Sequence, residues 1–298
     1  MNSIYTIKCL TEKQLFASRN WYYHFREVSN FFSDKECTKV ANDMANKYSI
    51  ITKVWSVEKN SEWICRHYLS SKMIMSATLN LNTMLYSKDK NIRLTLPYLK
   101  YYTLLSLFRG IVYTLPHVLW DDGGVITLSH KKIIQYVFEY LSKFNKEKAL
   151  MIKEIILDAK ANRELITYRS PTSGDALIND HLDIVEMSAL LSDLIQFNTE
   201  LMESSVIKNS DESALQFMDK YISKVEYIRI GDKVYRDKED GYRLGYVKRK
   251  FPLPVNALHL MTEGHVEDFF GAWWVDPDEI EGEVFDPDDN WSLIFDIP

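Results

Sequence analysis

Between residues 130 and 205 the apolar side chains return with the period of an α-helix, and this recurrence restricts what the chain can fold into. In HKKIIQYVFEYLSKFN, residues 130–145, Ile133, Ile134, Val137, Phe138, Leu141 and Phe144 fall on one helical stripe. Residues 147–168 continue the pattern through Leu150, Met151, Ile155, Ile156 and Ala159. In 175–205 the set Met187, Leu190, Leu191, Leu194, Ile195, Leu201 and Met202 repeats it. With the apolar run at 97–119 this predicts four helices of bundle length, joined by short connections such as DDGGVITLS and RSPTSGD.

The flanking regions read differently. Residues 11–48 predict two helices, the second opening at Ser33 with Glu36 three positions on, the spacing of a capping box. SIITKVWSVE at 49–58 is rich in β-branched and aromatic residues, and EKNS resembles a turn before EWICRHYLS, so a hairpin is expected there. Residues 72–86 alternate too loosely to assign. After residue 225 aromatic and β-branched residues come in short runs, Asp240-Gly241 sits where a hairpin turn would be, and FPLP at 251–254 interrupts regular structure. With 298 residues, 46% of them hydrophobic, the chain can bury a sizeable core, while ten glycines and eight prolines are few for an all-β or disordered chain.

Three cysteines, Cys9, Cys37 and Cys65, form no C-x-x-C pair and suit neither a disulfide framework nor a zinc site, which fits a reducing cytoplasm. The N-terminal MNSIYTIKCLTEK lacks the basic-then-apolar pattern of a secretory signal. YYTLLSLFRGIVYTLPHVLW, 101–120, has the length of a membrane span, but Arg109 near its middle costs roughly 3 kcal/mol on insertion scales. A buried helix and no membrane association are expected. The net charge is −6. Residues 276–298 hold nine acids and no Lys or Arg, so the other 275 residues sum to +3. A mildly basic body with an acidic tail fits a nucleic-acid contact on the body, or a tail that docks on a basic protein surface.

Four segments in order carry a family resemblance over roughly residues 95–205. KYYTLLSLFRGIVYTL has a double tyrosine followed by Arg109, LSHKKIIQYVFEYL opens with a Ser-His step, and AKANRELITYRSP precedes the last helix, through LIQFNTELM. This succession resembles the HEPN (higher eukaryotes and prokaryotes nucleotide-binding) domain. The resemblance implies a mainly α protein with a HEPN-like four-helix bundle at 94–225. The flanks are then an N-terminal helical extension with a possible β-hairpin at 1–93, and a small β-rich, acidic, Trp-bearing region at 226–298.

Active HEPN ribonucleases pair two protomers so that an arginine and a closely following histidine from each face one RNA cleft, and cleavage needs no metal. Carried over, Arg163 matches the motif arginine, Glu164 the polar residue after it, and Tyr168 stands after a four-residue spacer where histidine would be. That resembles the tyrosine-ended branch of the family. A general base at neutral pH needs a pKa near 7, which histidine has and tyrosine, near 10, lacks. Arginine can still bind phosphate through a bidentate contact. The expectation is therefore RNA or nucleotide binding by Arg163, Tyr168, Arg169 and Arg109, with His181 the candidate to complete a catalytic pair with Arg163.

Other features read more plainly. SRNWYYHFRE, 18–27, places His24 five residues after Arg19, yet lies far upstream of the HEPN-like helices and reads as an amphipathic helix with Trp21, Phe25 and Val28 inward. His259 and His265 flank Glu263 at a spacing that does not put both imidazoles on one helical face, so no metal site and no cofactor are expected. DPDE and DPDDN lack calcium-loop spacing, and Gly123-Gly124 lacks the Lys-Ser/Thr of a phosphate loop. YRLGYVKRKF, 242–251, interleaves rings with cations, as single-stranded nucleic acid requires, or as a soluble edge hairpin would. Trp273, Trp274 and Trp291 among the acids are expected to pack on the body or a partner.

Three functions remain in play: a dimerising, non-catalytic RNA- or nucleotide-binding module, an active metal-independent endoribonuclease, and a structural subunit docking through its tail. By family association the first belongs with prokaryotic antiviral defence or toxin–antitoxin systems.

Overall fold

A computed structural model of the chain describes residues 25–178, 183–273 and 285–295. The fold is mainly helical, with one two-stranded ribbon among the described residues. It opens with α1 (Arg26–Phe31) and α2 (Asp34–Thr52). The Ser33 capping box forms as expected: the Glu36 carboxylate accepts from Ser33 N–H at 2.9 Å, and Ser33 Oγ accepts from Glu36 N–H at 3.4 Å.

The hairpin expected across 49–70 does not exist. That region is the end of α2 and the start of α3 (Val57–Asp89), whose first turn is capped by Ser56. At 1.5 Å per residue α3 is about 50 Å long. From Asn60 to Ser71 every residue is buried, so no apolar stripe distinguishes one face from another and the β-branched and aromatic composition misleads. The polar groups inside α3 are used as ties. Asn60 Nδ2 donates to the carbonyls of Gln216 at 2.9 Å and Pro252 at 2.8 Å, His67 Nδ1 lies 2.7 Å from the Val255 carbonyl, and Asn82 Nδ2 donates to Pro287 O at 3.0 Å. Residues 251–256 and 285–295 are thereby threaded along one helix.

The four helices predicted from periodicity are present: α4 (Leu96–Thr114), α5 (His130–Leu141), α6 (Lys146–Arg169) and α7 (Ile184–Asn209). Ser129, Asn145 and Asp183 cap the last three through their side chains. α4 packs against α3, α6 and α7, while α2 lies on α7 and α5 on α6. Between α4 and α5 the segment Asp121–Thr127 turns through left-handed backbone at Asp121, Asp122 and Gly123. Buried apolar side chains form one cluster running from Phe25 to Phe295.

The C-terminal region carries less β structure than expected. Among the described residues, the short α8 (Ile222–Glu226) is followed by only two strands, β1 (Tyr227–Ile230) and β2 (Lys233–Arg236), paired antiparallel, then by α9 (Lys238–Lys250), α10 (Ala257–Leu260) and α11 (Glu263–Gly271). The hairpin turn lies at Gly231, φ +60°, and not at Asp240-Gly241, which sits in the first turns of α9. Asp237 caps that helix, and Tyr68 Oη donates to the buried Asp240 carboxylate at 2.7 Å. A Cβ on Gly241 would come 2.9 Å from Glu226 Oε2, so the glycine allows a close approach. Of the acidic tail, Ile294 and Phe295 are buried and Trp291 packs on the core, whereas Trp273 is exposed. Trp274 lies outside the described residues.

Candidate nucleic-acid interface

Arg163 projects from α6 toward α4, where its guanidinium lies over the Tyr101 ring, 5.2 Å from the centroid. Its side chain is 14% exposed, and Nη2 meets Glu164 Oε1 at 3.1 Å. Its Nε is buried and makes no hydrogen bond. Beneath it Tyr101 is fully buried, and its hydroxyl lies 2.8 Å from Nδ1 of His130 at the start of α5. Burial raises the Tyr101 pKa despite the opposing pull of Arg163, so the phenol keeps its proton. Partial burial, then the charges of Arg109, Arg163 and Lys160, lower the His130 pKa below the usual imidazole value. A neutral imidazole therefore stands in a cationic surrounding.

Arg109 builds this arrangement and does not reach outward. Its Nη1 donates to Ile126 O at 2.9 Å and its Nη2 to Leu128 O at 3.4 Å, fastening the segment that delivers His130. Lys160, one turn before Arg163, pairs with Glu164 at 3.6 Å. Thr167 Oγ1 donates to Tyr98 Oη at 3.1 Å, closing the α4–α6 seam beyond the cluster.

A cleft of about 170 Å³ opens on the same two helices. Lys88, Arg93, Lys100 and Asn162 line it over an apolar floor that includes Met84 and Pro97. Lys100 adjoins Tyr101 in the chain and Asn162 adjoins Arg163. Arg93 is held by a two-pronged ion pair with Asp175 across the cleft.

The residues expected at the site separate here. Arg163 and Arg109 both belong to the His130 neighbourhood. Tyr168 does not join Arg163: five residues along a continuous helix is about 140° of rotation, and Tyr168 is 72% exposed. Arg169 is exposed in the last turn of α6. His181, Arg19 and His24 lie outside the described residues. His130, Lys88, Arg93, Lys100 and Asn162 stand at this site without a sequence motif to mark them as partners of Arg163. For His130 the sequence signal is the Ser129-His130 step at a helix start.

Elsewhere His265 is structural. It stacks on Tyr68, rings 5.9 Å apart and 2° from parallel, with Nδ1 2.8 Å from the Leu260 carbonyl. Among the described residues no three His, Cys, Asp or Glu side chains come together as metal ligands. Cys37 and Cys65 are buried free thiols. No described helix is long and apolar enough to cross a membrane. Comparison with known proteins gives no match among family models, curated proteins or solved structures.

Proposed function

We propose that the chain is a HEPN-like module that binds RNA or a nucleotide through phosphate at the α4–α6 seam and pairs with a second copy. Within that reading it serves a prokaryotic antiviral-defence or toxin–antitoxin system. The observation that carries it is the Arg163 guanidinium, stacked on Tyr101 with an uncommitted Nε, beside Lys160 and a cleft lined by Lys88, Arg93 and Lys100. Among the described residues its one ion pair is with Glu164, whose side chain is 39% exposed. Such surface pairs contribute about 0–1 kcal/mol, whereas a hydrogen bond to a charged group contributes roughly 1.5–3 kcal/mol. A phosphate can therefore displace Glu164. For pairing, α6 holds Leu150, Met151 and Leu157 outward, each about two-fifths exposed, a stripe that a second bundle would cover. Binding of fluorescent RNA to wild type and Arg163→Ala, with mass measured by light scattering, tests both parts.

His130 favours a second reading, the metal-independent endoribonuclease. A neutral imidazole beside an arginine can accept the proton of an attacking ribose 2′-hydroxyl while the guanidinium stabilises the phosphorane charge. In the tautomer whose Nδ1–H donates to the Tyr101 hydroxyl, Nε2 is the acceptor left over. Incubation of labelled RNA in EDTA with wild type, Arg163→Ala, His130→Ala and His181→Ala separates binder from nuclease: equal silence in all four removes the enzyme.

A further inference from the structure

Three helices line the cleft beside Arg163 by one rule: each turns an apolar side chain into it and, one turn further on, a polar one. Met84 and Lys88 come from α3, Leu96 and Lys100 from α4, and Ala159 and Asn162 from α6, pairs three or four residues apart that share a helix face. Pro97 and Ile184 extend the apolar floor. The volume, about 170 Å³, is well under the roughly 300–1,000 Å³ of pockets for drug-sized ligands. There is room for one small ring system and not for a length of strand.

The rim is positive. Lys88, Arg93 and Lys100 stand against a single lining carboxylate, Asp175, which the Arg93 guanidinium holds. Lys88 is exposed and Asn162 half-buried, and neither side chain makes a hydrogen bond or ion pair among the described residues. Lys88 offers N–H donors to an anion, while the Asn162 amide carries both donors and an acceptor. Successive helix residues point about 100° apart, so Asn162 lines the cleft while Arg163, next to it, lies over Tyr101.

We propose that the cleft seats the base of one nucleotide, with its phosphate on the Lys88 side of the rim. This rests on the α4–α6 seam being an RNA or nucleotide site, and adds that the site holds a base as well as a phosphate. An unpaired base takes apolar cover on its faces and hydrogen bonds at its edge. The floor supplies the first and the Asn162 amide the second. A bare phosphate would use the cations and leave both idle.

Calorimetric titration of the full chain with AMP, GMP, CMP and UMP, and with ribose 5-phosphate, tests this. At least one nucleotide is expected to bind about tenfold or more tightly than ribose 5-phosphate, the effect of covering roughly 60 Å² of apolar surface. Asn162→Ala cuts that preference about fivefold, the loss of hydrogen bonds at the base edge, and leaves ribose 5-phosphate unchanged. Lys88→Ala weakens both ligands alike. A labelled single-stranded RNA that outbinds an abasic strand of equal length supports the cleft and places the base on a strand. A preference confined to the monophosphates also supports it and makes the ligand a free nucleotide. Equal affinity for ribose 5-phosphate and every nucleotide overturns the proposal, as does a preference that Asn162→Ala leaves intact. RNA binding that still depends on Arg163 in those cases leaves the phosphate site standing, so the two failures are told apart.

Discussion

Nδ1 of His130 and the hydroxyl of Tyr101 lie 2.8 Å apart, which tethers the first residue of one helix to the ring that carries the Arg163 guanidinium on another. Arg163, 33 positions further along the chain, shares a neighbourhood with His130 through that ring.

Replacing Arg163 with alanine is expected to weaken RNA binding at this site by about tenfold or more, the loss of a charge-assisted contact. Arg163→Lys recovers only part, because an ammonium cannot form the two-pronged contact or stack as the planar fork does. Anisotropy titrations at fixed salt measure both. Equal affinity for wild type and Arg163→Ala removes the site.

The lowered His130 pKa sets the pH behaviour of any cleavage. The imidazole stays neutral to below its ordinary value of 6.5, so the initial rate in EDTA should hold from neutral pH down past that value before falling. His130→Ala should abolish cleavage while RNA binding by Arg163 persists. An acidic limb centred above 6.5 would contradict this placement.

Arg66 anchors the core. It is 1% exposed, donates to Glu62 at 2.9 Å, to Tyr113 O at 3.2 Å and to Val118 O at 2.6 Å, and lies over the Trp63 ring. Removing one partner of a buried pair costs about 3–5 kcal/mol. Arg66→Ala should therefore shift the urea midpoint strongly downward, and a shift under about 1 kcal/mol would show that water reaches the site.

Asp193 predicts a pH dependence of stability. It accepts the Glu27 N–H at 2.8 Å at the head of α1, and burial pushes its carboxyl up to about 7 from an ordinary 3.8. Folding thus favours the protonated acid. The contribution is fully present below pH 4 and is lost as pH rises through 7, on the order of a few kcal/mol. Asp193→Asn should flatten that part of the pH–stability curve. A wild-type curve that does not fall between pH 4 and 7, once other groups are accounted for with this variant, would rule the assignment out.

What the sequence disclosed follows from how each helix is buried. α5 has one apolar face and a polar one, so Ile133, Val137 and Leu141 announce it, and Ser33 with Glu36 announces α2 by a local bond. α3 gives no such sign, since Asn60, Arg66 and His67 are as buried as Trp63 and Ile64. A segment enclosed on every side has no period to read. Asp240-Gly241 resembled a turn because its true reasons, the bonds to Tyr68 and Lys72 and the nearness of Glu226, come from remote parts of the chain. The convergence of His130 and Arg163 on Tyr101 is equally remote, and no local spacing encodes it.

The carbonyl ties along α3 have a consequence for how the protein is made. Asn60, His67 and Asn82 wait for acceptors at 216, 252, 255 and 287, all synthesised well after α3. Until those arrive, these side chains can keep their water, and the unfinished chain carries along its longest helix a wettable seam in place of a sticky one. Arrival of residues 216–287 closes that seam, and these later segments act as the closing zip of a core begun before them.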